Sequence, residues 1–209
     1  MAKQTSGILG KVTGKVGGVI GAAWKSTPYF RAYAKPANPK TPAQMLQRGK
    51  MGFVVGIAKM IKATIITPYW NPFQKRMSGY NRFIQKNIKL VADVPAILAI
   101  EMSEGDLELG AGLVDAFYSS VTGDVDVEWN PATMGNGEDD DIAVVVVIDK
   151  LNNVAFVNAL ETRVDASTSL PIGTDRVLAN LHAWVLFSRG TGTSLMVSPS
   201  SYSVIEATP

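Results

Sequence analysis

The residues equipped for chemistry fall into a few groups, and the first is a run of glycines and lysines. Gly7, Gly10, Gly14, Gly17, Gly18 and Gly21 are interspersed with Lys11 and Lys15. A phosphate-cradling loop needs its two glycines five positions apart and a Ser or Thr after its lysine. Here Gly10 and Gly14 are one residue too close, and Val16 follows Lys15. Gly10 and Gly14 also have the spacing of a membrane-helix packing pair, but no apolar span hosts them. What remains is close backbone approach to a neighbour, or plain flexibility.

"NGEDDD" (Asn136 to Asp141) gathers oxygen ligands of the kind calcium takes. It lacks the alternate spacing and distant glutamate of an EF-hand loop, so a solvated acidic loop is the expectation. His182 is the only histidine. It sits in a strand pattern with no serine or orienting acid nearby, which points to a structural or surface role. Asp124, Asp126 and Glu128 alternate along a strand and face solvent. With no cysteine, thiolate catalysis, disulfides and cysteine zinc sites are excluded. No cofactor, metal or catalytic residue is expected, and the chain reads as no enzyme.

The strongest signal is charge. Residues 1–89 hold 16 Lys or Arg and no Asp or Glu, while residues 90–209 hold 4 and all 18 acids, giving +16 and −14 within a net +2. A cationic segment this dense attracts polyanions, either nucleic acid or an acidic protein face. Its candidate docking residues are Lys11, Lys15, Trp24, Lys25, Tyr29, Phe30, Arg31, Lys35, Arg48, Arg82, Lys86 and Lys89. The aromatics Trp24, Tyr29, Phe30 and Tyr33 interleave with cations in a way suited to stacking on bases. The reading favoured over that one is that they pack onto the helices as the core of a small domain.

These residues need elements to position them. Residues 1–14 read as a flexible lead-in. "KVGGVIGAAW", a turn at "KSTP" and "YFRAYA" read as a β-hairpin. Thr41-Pro42-Ala43-Gln44 is a helix start, with Leu46, Phe53, Ile57, Met60, Ile61 and Ile65 at helical spacing before Pro68 and Pro72. A second helix begins near Ser78, with Tyr80, Ile84, Ile88 and Val91 on its apolar face and Arg82, Lys86 and Lys89 on a basic stripe.

After Pro95 the pattern becomes extended. "AIEMSEGDLEL", "GDVDVEW", two strands in "DIAVVVVIDKLNNVAFVN", and further strands in "TRVDASTSLPI" and "LANLHAWVLFSRGTGTSLMVSPSSYSVI" suggest an antiparallel β-sandwich of immunoglobulin or fibronectin III style. Trp129, Phe156, Trp184 and Phe187 are its expected buried aromatics. The expected fold class is therefore α+β. A basic, glycine-rich hairpin and helical docking region spans 1–94, and an acidic sandwich spans 95–209. No run approaches the roughly 20 apolar residues of a membrane span.

The run "GKVGGVIGAAWKSTPYFRAYAKPANPKTPAQMLQRGKM" resembles a family known as a domain of unknown function, found in Bacteroidota and their phages. The matching pattern falls at Lys15 to Trp24, Tyr29 to Arg31 and Asn38 to Arg48, with "SPSSY" (Ser198 to Tyr202) similar to the family's ending. Pro42 is extra, and Ser26-Thr27-Pro28 stands where the family has a Gly-Lys turn. The resemblance implies the same helical-then-sandwich layout and transfers no catalytic residue.

These readings lead to the expectation of a non-enzymatic structural protein of an assembly, in the first place a phage virion component of capsid, neck or tail. Its partners would be copies of itself or other virion proteins, with packaged nucleic acid possible and no membrane. It would reside in the virion, or in the host cytoplasm before assembly. The alternative is a nucleic-acid-binding protein using the same basic region.

Overall fold

A computed structural model describes residues 3–4, 12–24, 27–35, 37–110 and 115–208. The chain divides into two compact units, residues 1–41 and 42–209.

The first unit is a four-stranded antiparallel sheet in the order β1 (Lys3–Gln4), β2 (Val12–Val16), β3 (Val19–Trp24), β4 (Thr27–Ala32). Gly17 and Gly18 make the β2–β3 turn, with Gly17 at φ 57°. A two-residue Gly-Gly connection matches strand twist through left-handed backbone. The expected hairpin is thus β3–β4, and part of the supposed lead-in is strand β2. Thr27 and Pro28 belong to β4 rather than to a turn. Pro28 is tolerated because β4 is an edge strand. Gly21 is needed for space, since a Cβ there would strike the Val12 carbonyl on the neighbouring strand.

The second unit combines helices with a larger sheet. α1 spans Pro42–Met60, continues through a π-helical turn and α2 (Thr67–Tyr69), and α3 spans Gly79–Leu90. Pro42 opens α1 at a position where its missing N–H costs nothing. The Ser78 side chain caps α3 by accepting from the Asn81 N–H. The deepest side chains of α3 are Phe83 and Asn87. Tyr80 and Ile84, expected at the centre of its apolar face, flank them half-buried. Buried Asn87 is fully used: its amide donates to the Phe83 and Glu101 carbonyls and accepts from the Glu101 N–H.

The large sheet contains β5 (Asp115–Tyr118), β6 (Asp124–Glu128), β7 (Ile142–Asp149), β8 (Val154–Asn158), β9 (Ser167–Pro171), β10 (Leu181–Arg189), β11 (Met196–Val197) and β12 (Ser201–Ala207). Its order is β8-β7-β10-β12-β5-β6-β9, with β11 beside β10. All pairs are antiparallel except β12 with β5. β12 pairs with β10 over its first residues and with β5 over its last. β12 therefore links the two halves of the strand order into one curved, nearly closed path. At its ends the Asn158 amide donates to Thr168 Oγ1 across β8 and β9.

Two cores lie on opposite faces of β7 and β10. Val145, Val147, Ala183, Val185 and Phe187 pack with Val125, Val127, Trp129, Leu170 and Ile205 inside the curve. Val144, Val146, Ile148, Trp184 and Leu186 pack against Val54, Ile57, Ile61, Trp70 and Phe83 of the helical layer. Burial on both faces explains the unbroken apolar runs of β7 and β10. It also moves the expected boundary at 94/95. The helices and the sheet share a core, so that point lies inside the second unit.

"AIEMSEGDLEL" (Ala99 to Leu109) follows directly from a 3-10 turn at Ile97–Ala99 and is irregular chain, not a strand. This segment is the seam between layers. The indole N–H groups of Trp70 and Trp184 donate to the Met102 and Ile100 carbonyls, and the Leu107 N–H donates to the Val197 carbonyl.

Candidate functional site: oppositely charged sheet faces

Strand register sorts the small sheet into two unlike faces. Lys15 pairs with Ile20 and Ile20 with Arg31, so these share a face with Trp24, Tyr29 and Thr27. The other face carries Val16, Val19, Phe30, Pro28 and Ala32 around Gly14 and Gly21. Within this unit the described residues leave both faces open: Trp24 is 71% exposed, Phe30 64% and Val16 57%. Lys15 Nζ sits 3.6 Å from the Tyr33 ring centroid, a cation–π contact that holds the lysine over this face. Arg31 and Lys35 are also exposed. Lys11 and Lys25 lie outside the described residues. Within the first unit alone, Trp24, Tyr29, Phe30 and Tyr33 do not form a buried core. Single exposed apolar residues are ordinary, but a sheet exposed on both faces is not.

The basic stripe of α3 has a different fate. Arg82 makes a bidentate pair with Glu104, at 2.7 and 3.1 Å. Lys86 meets Glu101 at 2.7 Å, and Lys50 of α1 meets Asp93 at 2.9 Å. The acids that begin at Asp93 fold back onto the helices and neutralise them. Arg82 and Lys86 are thus engaged within the unit, while Lys89 and Arg48 are exposed. A surface depression of about 400 Å³ beside Arg82 and Glu104 is lined by Trp70, Phe73 and Asp106.

The acidic loop 136–141 is not wholly solvated. Asp141 is fully buried and bound by two guanidinium groups, Arg163 at 3.1 Å and Arg189. Arg163, itself 0% exposed, also donates to the Glu108 and Leu109 carbonyls and stacks 3.7 Å from the Phe187 ring centroid. Burial pushes the Asp141 pKa up, but hydrogen bonds from Arg189, the Glu138 N–H and Arg163 overcome it and leave it lowered. Among the described residues, no three His, Asp or Glu side chains converge to hold a metal.

Asp149 is buried likewise and pairs with Arg176 at 3.0 Å. His182 shares a 2.9 Å hydrogen bond with the Tyr202 hydroxyl. Burial first, and Lys150 second, lower its pKa and favour the neutral imidazole. These are structural contacts that spend polar groups on positioning loops and strands.

On the outside of β5, β6 and β12 lies a surface that the alternating pattern only partly revealed. Val125 and Val127 point inward, leaving Asp126 and Glu128 exposed. Asp115 stands directly across from Glu128, and Phe117 across from Asp126. On the other side Phe117 pairs with Glu206 of β12. Like charges placed opposite one another destabilise a ladder. Among the described residues, none of Asp115, Asp126, Glu128 and Glu206 forms an ion pair. The parallel β12–β5 pairing that brings Glu206 into this row has no local sequence signal.

The architecture is that of a mixed α/β protein, with a β-rich unit backed by helices and preceded by a small sheet. The chain belongs to the family described as "Family of unknown function (DUF6266)", whose model matches residues 10–203. No curated protein and no solved structure matches the chain. Among the described residues, no single helix is long and apolar enough to cross a membrane.

Proposed function

We propose that this protein is a non-enzymatic subunit of a macromolecular assembly and that it docks through its N-terminal sheet. One observation carries the reading: a sheet whose described residues leave bulky apolar and aromatic side chains exposed on both faces, Trp24 and Phe30 above all. Such a sheet gains stability from a covering partner. The exposed Met45, Leu46 and Met51 at the start of α1 add further apolar surface. The engagement of Asp141, Asp149 and His182 in structural contacts fits a protein whose polar groups serve architecture. The assembly we infer is a phage virion, with the protein in its capsid, neck or tail and in the host cytoplasm beforehand.

We also read the large sheet as a sandwich of immunoglobulin type. β5-β6-β9 has the neighbour order of strands A, B and E, and β8-β7-β10-β12 that of C′, C, F and G.

The second reading, nucleic-acid binding, is favoured by the juxtaposition of Lys15, Arg31, Trp24 and Tyr29 on one face. Sedimentation of the full chain at low and high salt, with and without single-stranded and duplex DNA, separates the two. Concentration-dependent oligomers without DNA affinity support assembly. A monomer that changes mass only with DNA contradicts it.

A further inference from the structure

Two rows of side chains in different units have the same design with opposite sign. In the small sheet, Lys15, Ile20 and Arg31 lie side by side on β2, β3 and β4. In the large sheet, Glu206, Phe117 and Asp126 lie side by side on β12, β5 and β6. Each row is a half-buried apolar residue between two exposed charged ones. Each spans three adjacent strands, so the outer charges in both are two strand spacings apart, about 9.5 Å. Phe117 stands as a ridge between shallow grooves of about 310 and 450 Å³, which would accept bulky side chains on either flank. Trp24 and Tyr29 share the cationic face and are exposed.

Resting on the docking reading above, we propose that the cationic face of one copy's N-terminal sheet packs on the acidic β12-β5-β6 face of a second copy. Ile20 meets Phe117, and Lys15 and Arg31 meet the carboxylates of Glu206 and Asp126. Stacked sheets lie about 10 Å apart, within reach of lysine and arginine side chains. The occupant is a second copy because charge, spacing and apolar centre all match within this one chain. Like-charged faces repel, which disfavours sheet-to-identical-sheet pairing. Because the two faces differ, the contact is heterologous, and repetition yields a ring or a filament.

Two full-length variants test this. A donor-deficient form carries Lys15→Gln and Arg31→Gln, and an acceptor-deficient form carries Asp126→Asn and Glu206→Gln. Sedimentation velocity at low salt should show the parent associating, each variant alone losing that association, and their mixture forming a one-to-one dimer. The dimer follows because the mixture retains one intact donor and one intact acceptor. If the donor-deficient form loses association and the acceptor-deficient form keeps it, this interface is wrong while docking through the N-terminal sheet survives. If neither variant alters the parent's association, or the parent stays monomeric, the proposed interface is wrong. A mixture that remains monomeric also overturns the proposed interface.

Discussion

At Asp141 two guanidinium groups converge on a single buried carboxylate, and one of them, Arg163, is itself sealed from water. Breaking a buried ion pair by removing one partner costs about 3–5 kcal/mol, and because Arg189 still faces the carboxylate the lower end, about 3 kcal/mol, applies here. Arg163→Ala should therefore lower stability by about that amount, read from the midpoint of denaturant unfolding. The same site sets an acid dependence. The folded Asp141 pKa lies below its unfolded value, so its contribution is complete above the unfolded carboxylate range, about pH 4. It is lost as pH falls through the folded value. Asp141→Asn should flatten the fall in unfolding midpoint between about pH 5 and pH 2. An equally steep fall would show that other carboxylates govern acid unfolding. Sequence placed Asp141 in an acidic loop, yet could not reveal Arg163 as its partner, because the pair joins positions 22 residues apart through tertiary packing.

Among the elements, α1 is a helix that tolerates its glycines rather than using them. A Cβ at Gly49, Gly52 or Gly56 would meet nothing within 4 Å. Gly52→Ala should raise stability by up to about 1 kcal/mol, seen as a higher thermal midpoint. Gly21 is the opposite case, since any side chain there collides with the Val12 carbonyl. Gly21→Val should disrupt the small sheet and abolish association, with the thermal transition of residues 42–209 retained. The strands β6, β7, β8 and β10 were legible because alternation or long β-branched runs leave little choice of structure. The 96–110 segment was not, because its side chains are buried along a seam that offers no ladder. Its apolar residues looked like a strand's. The helical start at Pro42 and the cap at Ser78 were readable from local chemistry. The join of helices to β7 and β10 was not, although the unbroken apolar run of β7 carried the hint that both faces are covered.

For the whole molecule, the division of charge along the sequence is folded into two different uses. Within residues 42–209, cations of α1 and α3 meet acids from Asp93 to Glu104. The cations of the small sheet and the acids of the β12-β5-β6 face find no such ion pairs among the described residues. The sequence count of charge could not separate these uses, because only tertiary placement tells a paired stripe from an unpaired row. The candidate docking residues accordingly divide. Lys15, Trp24, Tyr29 and Arg31 share one sheet face and Phe30 the other, whereas Arg82 and Lys86 bind their own unit.

The central claim is that the exposed N-terminal sheet is a docking element. Sedimentation velocity of the full chain across a concentration series, beside a Trp24→Ser, Phe30→Ser variant, tests it most directly. The parent should associate, and the variant should stay monomeric with an unchanged thermal transition. A parent that remains monomeric at every concentration, or a variant that associates as the parent does, would contradict it.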